Sequence, residues 1–421
     1  MNRKNALFKL AVRNVTRNSK NNRFVILSIA FGLATVFWVK CIFLGHNQNM
    51  INVATSTFIG GVQIHDPAFL KSKAISHHFA DAPVEAVLRT VPGIRYSKRI
   101  FFPSLLSTAR ESSMGLLYGI DPNAEAEVTD LRKNLKRGRY LTPETGAACT
   151  RKEIYISEKL AEKLKTDLDG KIVVMGQATD GTTGNDLFRV AGIYDSGSGD
   201  FDENHSFVNL ECARELVALP GDVHEIVLRT DDKSDLDRQT EIRGLFSAHP
   251  ETANLAVTTW REFVPSLETM VRMNTGVTNM VIFTFFLITS LGVVNSMLMS
   301  VFERTQEFGI ILALGMTPAQ VTRIIFYEGL VIALIAGTVS TLVGYALVSY
   351  HHRFGLDITP FIGQAKNSFV GYKFTTRVYP VMAWKLYLTI LATELAFLVT
   401  AGIYPALRAA RLDPMESIRS R

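Results

Sequence analysis

Apolar residues are concentrated in four long stretches of this chain, whereas the rest mixes apolar and polar positions. The four stretches cover 24–44, 277–302, 324–350 and 382–404. A helix needs about 20 apolar residues to cross a hydrocarbon core of about 30 Å, and each stretch meets that length. The first stretch is longer than the apolar core of a signal peptide, and no small-residue cleavage site follows it. The pattern therefore predicts four transmembrane helices, the first of them an uncleaved anchor.

The long segment between the first two spans, 45–276, has a different pattern. Short runs rich in β-branched and aromatic residues alternate with runs of helical periodicity, and turn pairs such as Pro92-Gly93 separate them. This alternation predicts an α+β domain. The predicted fold class is a membrane α-helical protein with four transmembrane helices and an α+β extracytoplasmic domain inserted between helices 1 and 2.

The chain has 421 residues, is 47% hydrophobic and has a formal net charge of +6. Its positive charge is distributed unevenly along the sequence. No acid precedes the first span, but the tail carries Arg3, Lys4, Lys9, Arg13, Arg17, Lys20 and Arg23. Lys and Arg accumulate on the cytoplasmic side of membrane spans, so this tail predicts a cytoplasmic N-terminus. Binding to nucleic acid explains the tail less well, because an apolar stretch follows at once.

Four spans return the C-terminus to the cytoplasm, which predicts a multi-pass protein of the inner (cytoplasmic) membrane. The predicted segments are a basic amphipathic helix at 1–23, span one at 24–44, the extracytoplasmic domain at 45–276, span two at 277–302, a cytoplasmic short helix and elbow at 303–323, span three at 324–350, an extracytoplasmic loop at 351–381, span four at 382–404 and a cytoplasmic C-terminal helix at 405–421.

Three cysteines occur, and Cys41 lies within the first span. Only Cys149 and Cys212 lie where a disulfide could form outside the membrane. Sequence spacing does not show whether their side chains meet, so the pairing stays open.

The link between spans two and three carries strong local signals. Gly315 suits the left-handed position that closes a helix. Thr317, Pro318 and Gln320 then fit the N-cap, N1 and N3 positions of a capping box that starts the next helix. The link is therefore predicted to be a short helix, a sharp corner and the helix that enters the membrane. Its apolar face, around Phe308, is too short to span and is expected at the interface or against another protein.

The chain lacks the sequence signatures of common catalytic and metal sites. It contains no H-E-x-x-H, no G-x-S-x-G and no G-x-x-x-x-G-K-[ST] pattern. We therefore expect no catalytic residue, no metal site and no cofactor in this chain. The 45–276 domain is interpreted as a binding or force-transmitting module.

Two further groups of span residues are candidates for contacts. Ala336, Ser340 and Gly344 place small side chains four residues apart in span three, where they allow close approach of another helix. That helix could belong to a second subunit or to the same chain. Phe37, Trp38 and Phe43 lie near the outer end of span one and are candidates for a substrate-facing surface. Plain lipid contact explains these aromatic residues equally well.

Four motifs resemble those of the FtsX/MacB/Lol-type ABC transporter permeases. Residues 303–317, ERTQEFGIILALGMT, resemble the family's "ERtxEiGilrAlGat" stretch, and residues 404–419, YPALRAARLDPMESIR, resemble its C-terminal "yPAxrAaxldPxeaLR". The AVRN at 11–14 is similar to its N-terminal helix, and the GGVQIH at 60–65 to the opening of its periplasmic domain. Length, the free-standing permease and that opening most resemble the lipoprotein-releasing (LolC/LolE-type) subunits.

The resemblance implies that the elbow is a coupling helix that docks on a separate cytoplasmic ABC ATPase. The residues that it implies at this contact are Glu303, Arg304, Glu307, Phe308, Gly309, Leu312, Gly315 and Thr317. It implies a second permease subunit, identical or homologous, and places ATP-Mg in the ATPase partner. Membrane lipids and a lipoprotein substrate or periplasmic carrier are further expected partners. The short stretch 177–185 differs from the long carrier-docking loop of some relatives.

Three functions are compatible with this sequence. The first is release of lipoproteins from the inner membrane. The second is mechanotransmission to a periplasmic partner such as a cell-wall hydrolase. The third is MacB-like export of peptides or small molecules together with an outer-membrane channel. Identifying what co-purifies with the full chain in mild detergent would distinguish them.

Overall fold

The chain forms two compact units, seen in a computed structural model. The structure describes residues 3–17, 19–144, 146, 148–230, 234–357, 368–369, 372–373, 377–382 and 384–410. The first unit, here called the helical unit, comprises the described residues of 1–47, 272–361 and 376–421. The second, here called the sheet domain, comprises those of 48–271 and 362–375.

The helices and strands alternate through the middle of the chain and give way to long helices at both ends. The helices are α1 Arg3–Arg17, α2 Ser19–Ala54, α3 Phe69–Ser72, α4 Asp81–Leu88, α5 Pro122–Val128, α6 Glu158–Lys163, α7 Gly199–Asn204, α8 Leu210–Val217, α9 Asp235–Ser247, α10 Trp260–Phe263, α11 Pro265–Glu303, α12 Thr305–Ala313, α13 Pro318–Phe354 and α14 Trp384–Ala410. The strands are β1 Val62–His65, β2 Phe79–Ala80, β3 Ile94–Ser107, β4 Ser112–Ile120, β5 Leu135–Gly138, β6 Glu153–Ser157, β7 Lys171–Gln177, β8 Thr183–Tyr194, β9 His205–Asn209, β10 Asp222–Val223, β11 Glu225–Thr230, β12 Ala256–Thr259, β13 Leu356–Asp357, β14 Ser368–Phe369, β15 Tyr372–Lys373 and β16 Arg377–Val378.

Four helices have the length and composition to cross a membrane, which confirms the predicted fold class. The candidate spans are Arg23–Ile59, Pro265–Glu303, Pro318–Phe354 and Tyr387–Pro405. The helices extend beyond the apolar stretches of the sequence, since α11 has 39 residues and measures about 58 Å at 1.5 Å per residue. Hydropathy marks only the part of such a helix that suits lipid. The predicted C-terminal helix falls partly on residues 411–421, outside the described residues.

The sheet domain is built on one mixed ten-stranded sheet. Its strand order is β12-β1-β11-β3-β4-β9-β6-β8-β5, and β7 pairs with both β3 and β8. The pairs β4–β9 and β6–β8 are parallel, and the other pairs are antiparallel. Crossovers between parallel strands require intervening helices, so α-helices pack against the sheet and bury one large apolar cluster. The predicted α+β class is therefore confirmed.

The loop between β7 and β8 is short, as the sequence indicated for residues 177–185. Gln177 pairs with Thr183, so the two strands form a simple antiparallel hairpin. Elsewhere in the domain, Cys149 and Cys212 form a disulfide with their Cα atoms 4.6 Å apart, which answers the question left open by the sequence. The bond fixes the irregular segment before β6 to helix α8.

A buried ionic network lies where the chain enters the sheet domain. A π-helical turn, Thr55–Ile59, follows α2, and Arg99 of β3 donates from Nη2 to the backbone oxygen of Phe58 at 2.7 Å. Arg99 also donates to Glu125 from Nε at 3.0 Å and from Nη2 at 2.6 Å, and to Glu225 from Nη1 at 3.1 Å. All three charged side chains are almost fully buried. One guanidinium therefore joins the π turn, helix α5 and two strands.

The network predicts a strong stability effect of Arg99. Arg99→Ala leaves two carboxylates in the protein interior without their cation, which is expected to cost about 3–5 kcal/mol. Thermal unfolding of the full chain in detergent should show a large drop in melting temperature. Arg110→Ala, at an exposed arginine, is the matched control and should have little effect.

A second variant separates charge from hydrogen bonding in the same network. Burial raises the pKa of the Glu225 carboxyl, which favours its neutral form. Glu225→Gln retains an oxygen that can accept from Arg99, so its melting temperature should fall far less than that of Arg99→Ala. Equal losses for the two variants would contradict this account of the network.

Candidate functional site

The elbow consists of the end of α11, the short helix α12 and the start of α13. Gly315 has a φ of +96°, in the left-handed region expected for the residue that ends α12. Thr317 caps α13 and forms a capping box with Gln320, whose Oε1 accepts from the Thr317 N–H at 2.9 Å. The predicted sequence of helix, corner and helix is confirmed. Local capping chemistry, rather than long-range contacts, determines this geometry.

The structure divides the predicted contact residues of the elbow into two groups. Glu303, Glu307, Gly315 and Thr317 are exposed, and their contact with an ATPase stays a prediction. Phe308, Gly309 and Leu312 point toward the helical unit itself: Phe308 is 2% exposed, Gly309 is buried, and Leu312 is half-buried.

Phe308 is therefore covered by its own chain in this structure, and its contact with an ATPase stays a prediction. Phe308 belongs to an apolar cluster with Val301, Val321 and Ile325 of the flanking helices, and Leu312 packs against it. Gly309 is buried beside Phe308, and its contact with an ATPase also stays a prediction. The sequence showed an apolar face too short to span a membrane, but did not show that the chain covers this face itself.

Two exposed apolar residues of the elbow were missed in the sequence. Ile310 is 49% exposed and Leu314 is 83% exposed. They lie four residues apart and therefore share one helix face, opposite the pair Phe308 and Leu312. The signal was present in the spacing, since α12 has apolar residues on two faces and its own bundle can cover only one. The second face is the surface available to a partner.

Arg304 connects the elbow to α13 and α1. Its Nη1 donates to both Glu328 carboxylate oxygens at 3.1 Å, and its Nε donates to Glu307 at 3.1 Å. The amide of Asn14 donates to Glu328 Oε1 at 2.7 Å. The side chains of Arg304 and Glu328 are 14% and 13% exposed, so this pair is partly shielded from water. Arg304 thus positions the elbow within the helical unit, and its contact with an ATPase stays a prediction.

The small residues of span three pack within the chain. Ala336 and Ser340 are 0% and 5% exposed, and Gly344 is also buried. A Cβ at Gly344 would lie 2.9 Å from Cδ1 of Phe37, so any larger residue here would force the Phe37 ring or the helix to shift. Packing within one chain, one of the two alternatives, is therefore observed, and a contact with a second subunit at these residues stays a prediction.

The aromatic candidates of span one are largely engaged inside the helical unit. Phe37 is 5% exposed and packs edge-on against Tyr387 with ring centroids 5.0 Å apart. Trp38 donates from Nε1 to Nδ1 of His351 at 3.2 Å. Phe43 is half-buried. Phe37 is therefore covered by its own chain, and the substrate-facing role of Phe37, Trp38 and Phe43 stays a prediction.

Comparisons with known proteins agree with the motifs of the elbow and the C-terminal span. Residues 279–414 match the family described as FtsX-like permease, C-terminal. The lipoprotein-releasing system transmembrane protein LolC of Xylella fastidiosa (strain Temecula1) is 24% identical over 318 residues, 72% of this chain and 72% of that protein. The macrolide export ATP-binding/permease protein MacB of Hyphomonas neptunium is 26% identical over 280 residues, 61% of this chain and 40% of that protein. The crystal structure of the periplasmic region of MacB from Actinobacillus actinomycetemcomitans covers 52% of this chain and 98% of its own length, with 14% identity and a TM-score of 0.38.

The exposed face of the elbow gives a first prediction. Burying a leucine side chain contributes about 1.5–3 kcal/mol, so Leu314→Glu should weaken binding of an ATPase subunit about tenfold or more. The measurement is the amount of ATP-binding subunit retained when the full chain is purified in mild detergent. Leu236→Glu makes the same change at a leucine that is 56% exposed in the sheet domain. Equal retention by both variants would contradict the assignment of this face.

The ionic contacts of Arg304 give a second prediction. Glu328→Gln removes the charge that pairs with a partly buried arginine and should destabilise the helical unit by about 2–4 kcal/mol. Glu307→Gln removes the other carboxylate, which is 45% exposed, and should cost less than about 1 kcal/mol. Thermal unfolding in detergent compares the two. A similar loss for both variants would show that burial of the Arg304–Glu328 pair has no energetic role.

Proposed function

Since this chain is an ABC transporter permease of the FtsX, LolC and MacB type, we propose that it couples ATP hydrolysis by a separate cytoplasmic ATPase to motion of its sheet domain outside the membrane. The single observation that carries this proposal is the capped elbow with Ile310 and Leu314 exposed on one face. Such a face on a short helix between two membrane-length helices is suited to bind the soluble ATPase and to move with it.

The contacts of the elbow support transmission of that push. Phe308 inserts among the apolar residues of the flanking helices, and Arg304 holds Glu328 of α13. A displacement of α12 therefore has to move the helices that it contacts. Helix α11 then continues without interruption from Glu303 back to Pro265, at the edge of the sheet domain.

Two observations favour a location of the sheet domain outside the cytoplasm. The basic tail before the first span favours a cytoplasmic N-terminus. The disulfide between Cys149 and Cys212 is a bond that persists in oxidising compartments and is rare in the cytosol. With both termini on the cytoplasmic side, the sheet domain is the part that acts on a substrate.

We propose release of lipoproteins from the inner membrane as the process served. The LolC relative, whose name states that role, is matched over 72% of its length. At about 0.8 kcal/mol per buried methylene, exposing the acyl chains of a lipoprotein to water costs on the order of 30 kcal/mol. Non-covalent binding reaches only about 20 kcal/mol, so the chains must be moved in stages through apolar shelter with energy from ATP.

Lipoprotein sorting in cells tests this function. Depletion of the protein should cause mature lipoproteins to accumulate in the inner-membrane fraction, measured by membrane fractionation and quantitative mass spectrometry. Re-expression of the wild-type chain or of Leu236→Glu should restore sorting, whereas Leu314→Glu should not. Normal sorting in depleted cells would refute lipoprotein release and leave the permease assignment intact.

A further inference from the structure

The sheet domain contains an aromatic-lined cavity that the coupling function does not use. Its volume is about 770 Å³, within the range of about 300–1,000 Å³ typical of small-molecule sites. The rings that line it belong to Phe58, Phe101, Tyr118, Phe201, His205 and Phe263. Met114, which is 67% exposed, also lies on this cavity. The exposed apolar side chain beside these rings indicates that an apolar ligand can reach the cavity from this side.

The rings are held rigidly by their neighbours. The Phe58 ring lies 3.7 Å from the Arg99 guanidinium carbon, directly above the buried ionic network. His205 stacks on Phe201 at 4.2 Å and on Tyr118 at 5.6 Å between ring centroids. A wall that is already ordered loses little conformational entropy when a ligand binds. The cavity is therefore preorganised for an apolar ligand.

One positive charge, on the exposed residue Lys73, borders these rings. Lys73 lines the cavity, and its Nζ is 4.6 Å from the centre of the Phe263 ring. Among the described residues that line the cavity there is no carboxylate. Burial lowers the pKa of His205 to about 4, so this imidazole is neutral at pH 7. An anionic group on the ligand would therefore meet an ammonium without a competing acid in the wall.

The position of the cavity in the sequence relates it to the membrane spans. Phe58 belongs to the helical run Arg23–Ile59 that contains the first candidate span. Phe263 ends α10, immediately before the helix that contains the second. The cavity is thus built from the parts of the sheet domain that directly follow and precede two spans.

We propose that this cavity binds the aliphatic chain of an anionic amphiphile, with the chain on the aromatic rings and the anionic group at Lys73. The inference deepens the proposed lipoprotein release, because it supplies an apolar shelter outside the membrane. It nevertheless stands on the cavity alone and requires neither an ATPase nor motion of the elbow.

Photo-crosslinking on the full chain in lipid nanodiscs tests the proposal. The probe is a palmitic acid analogue with a diazirine at its terminal carbon, and adducts are mapped by mass spectrometry. Adducts are expected in the membrane spans of every variant and, in addition, on cavity residues such as Met114 and Phe201. Unlabelled palmitate should compete for the cavity adducts. Adducts confined to the spans would overturn the proposal.

Two pairs of variants make the test specific. Lys73→Glu should reduce cavity adducts about tenfold, whereas Lys71→Glu, at an exposed lysine nearby, should not. Leu116→Trp should fill the cavity and abolish its adducts, whereas Leu187→Trp at a leucine that is 44% exposed should not. Cavity labelling that is unchanged in both Lys73→Glu and Leu116→Trp would also overturn the proposal.

The same chain offers a competing occupant, because β15 lies beside α7, which contributes Phe201 to the cavity. A Met114→Cys, Tyr372→Cys double variant tests this alternative. If its disulfide forms rapidly and completely, and unlabelled palmitate does not compete for the cavity adducts, β15 occupies the cavity instead. The labelling needs no ATP, so its failure is distinguishable from a failure of lipoprotein release. If the cavity is labelled but lipoprotein sorting is normal in depleted cells, the binding site is supported and the proposed lipoprotein release is refuted.

Discussion

The buried guanidinium of Arg99 is the constraint on which the sheet domain depends. It neutralises part of the charge of Glu125 and Glu225, and it also satisfies the backbone oxygen of Phe58 in the π turn. A buried ion pair is weak support for stability when it is compared with an apolar replacement, but removing one partner is strongly destabilising. Here the ionic contacts add a function that an apolar residue could not supply, since they orient the turn through which the chain enters the domain. The same guanidinium supports the Phe58 ring at the floor of the aromatic cavity.

A comparable arrangement organises the helical unit. Arg304 lies between two helices, contacts carboxylates on both sides and stacks near the Phe308 ring at 5.0 Å. In both places one arginine joins two or more elements, and an aromatic ring lies against its guanidinium. Arg suits this role because its planar fork donates in several directions and its face accepts stacking. Arg304 therefore lies where α11 gives way to α12, and Arg99 anchors the π turn that follows α2.

The sequence predicted those features that depend on local chemistry or on hydropathy. Four spans, the α+β domain and the Gly315–Thr317 corner followed from apolar length, alternation and capping preferences. The inward position of Phe308 did not follow, because periodicity shows which residues share a face but not what that face meets. The contacts of Arg99 were also beyond reach, since Glu125 and Glu225 lie 26 and 126 positions away along the chain. The packing of Gly344 against Phe37 depends in the same way on which helices become neighbours.

The bond between Cys149 and Cys212 has a consequence for how the protein matures and how it can be produced. It closes a loop with a sequence separation of 63, and restricting an unfolded chain over such a length stabilises the folded state by about 4 kcal/mol in the chain-entropy estimate. A cell-free or cytosolic expression system that keeps thiols reduced would therefore yield a sheet domain with a lower free energy of unfolding. Oxidation can occur only after β6, β7, β8 and β9 have been synthesised, because all four lie between the two cysteines. The bond can therefore form before β10, β11 and β12 have been synthesised, and it can hold part of the sheet domain while these later strands are still missing.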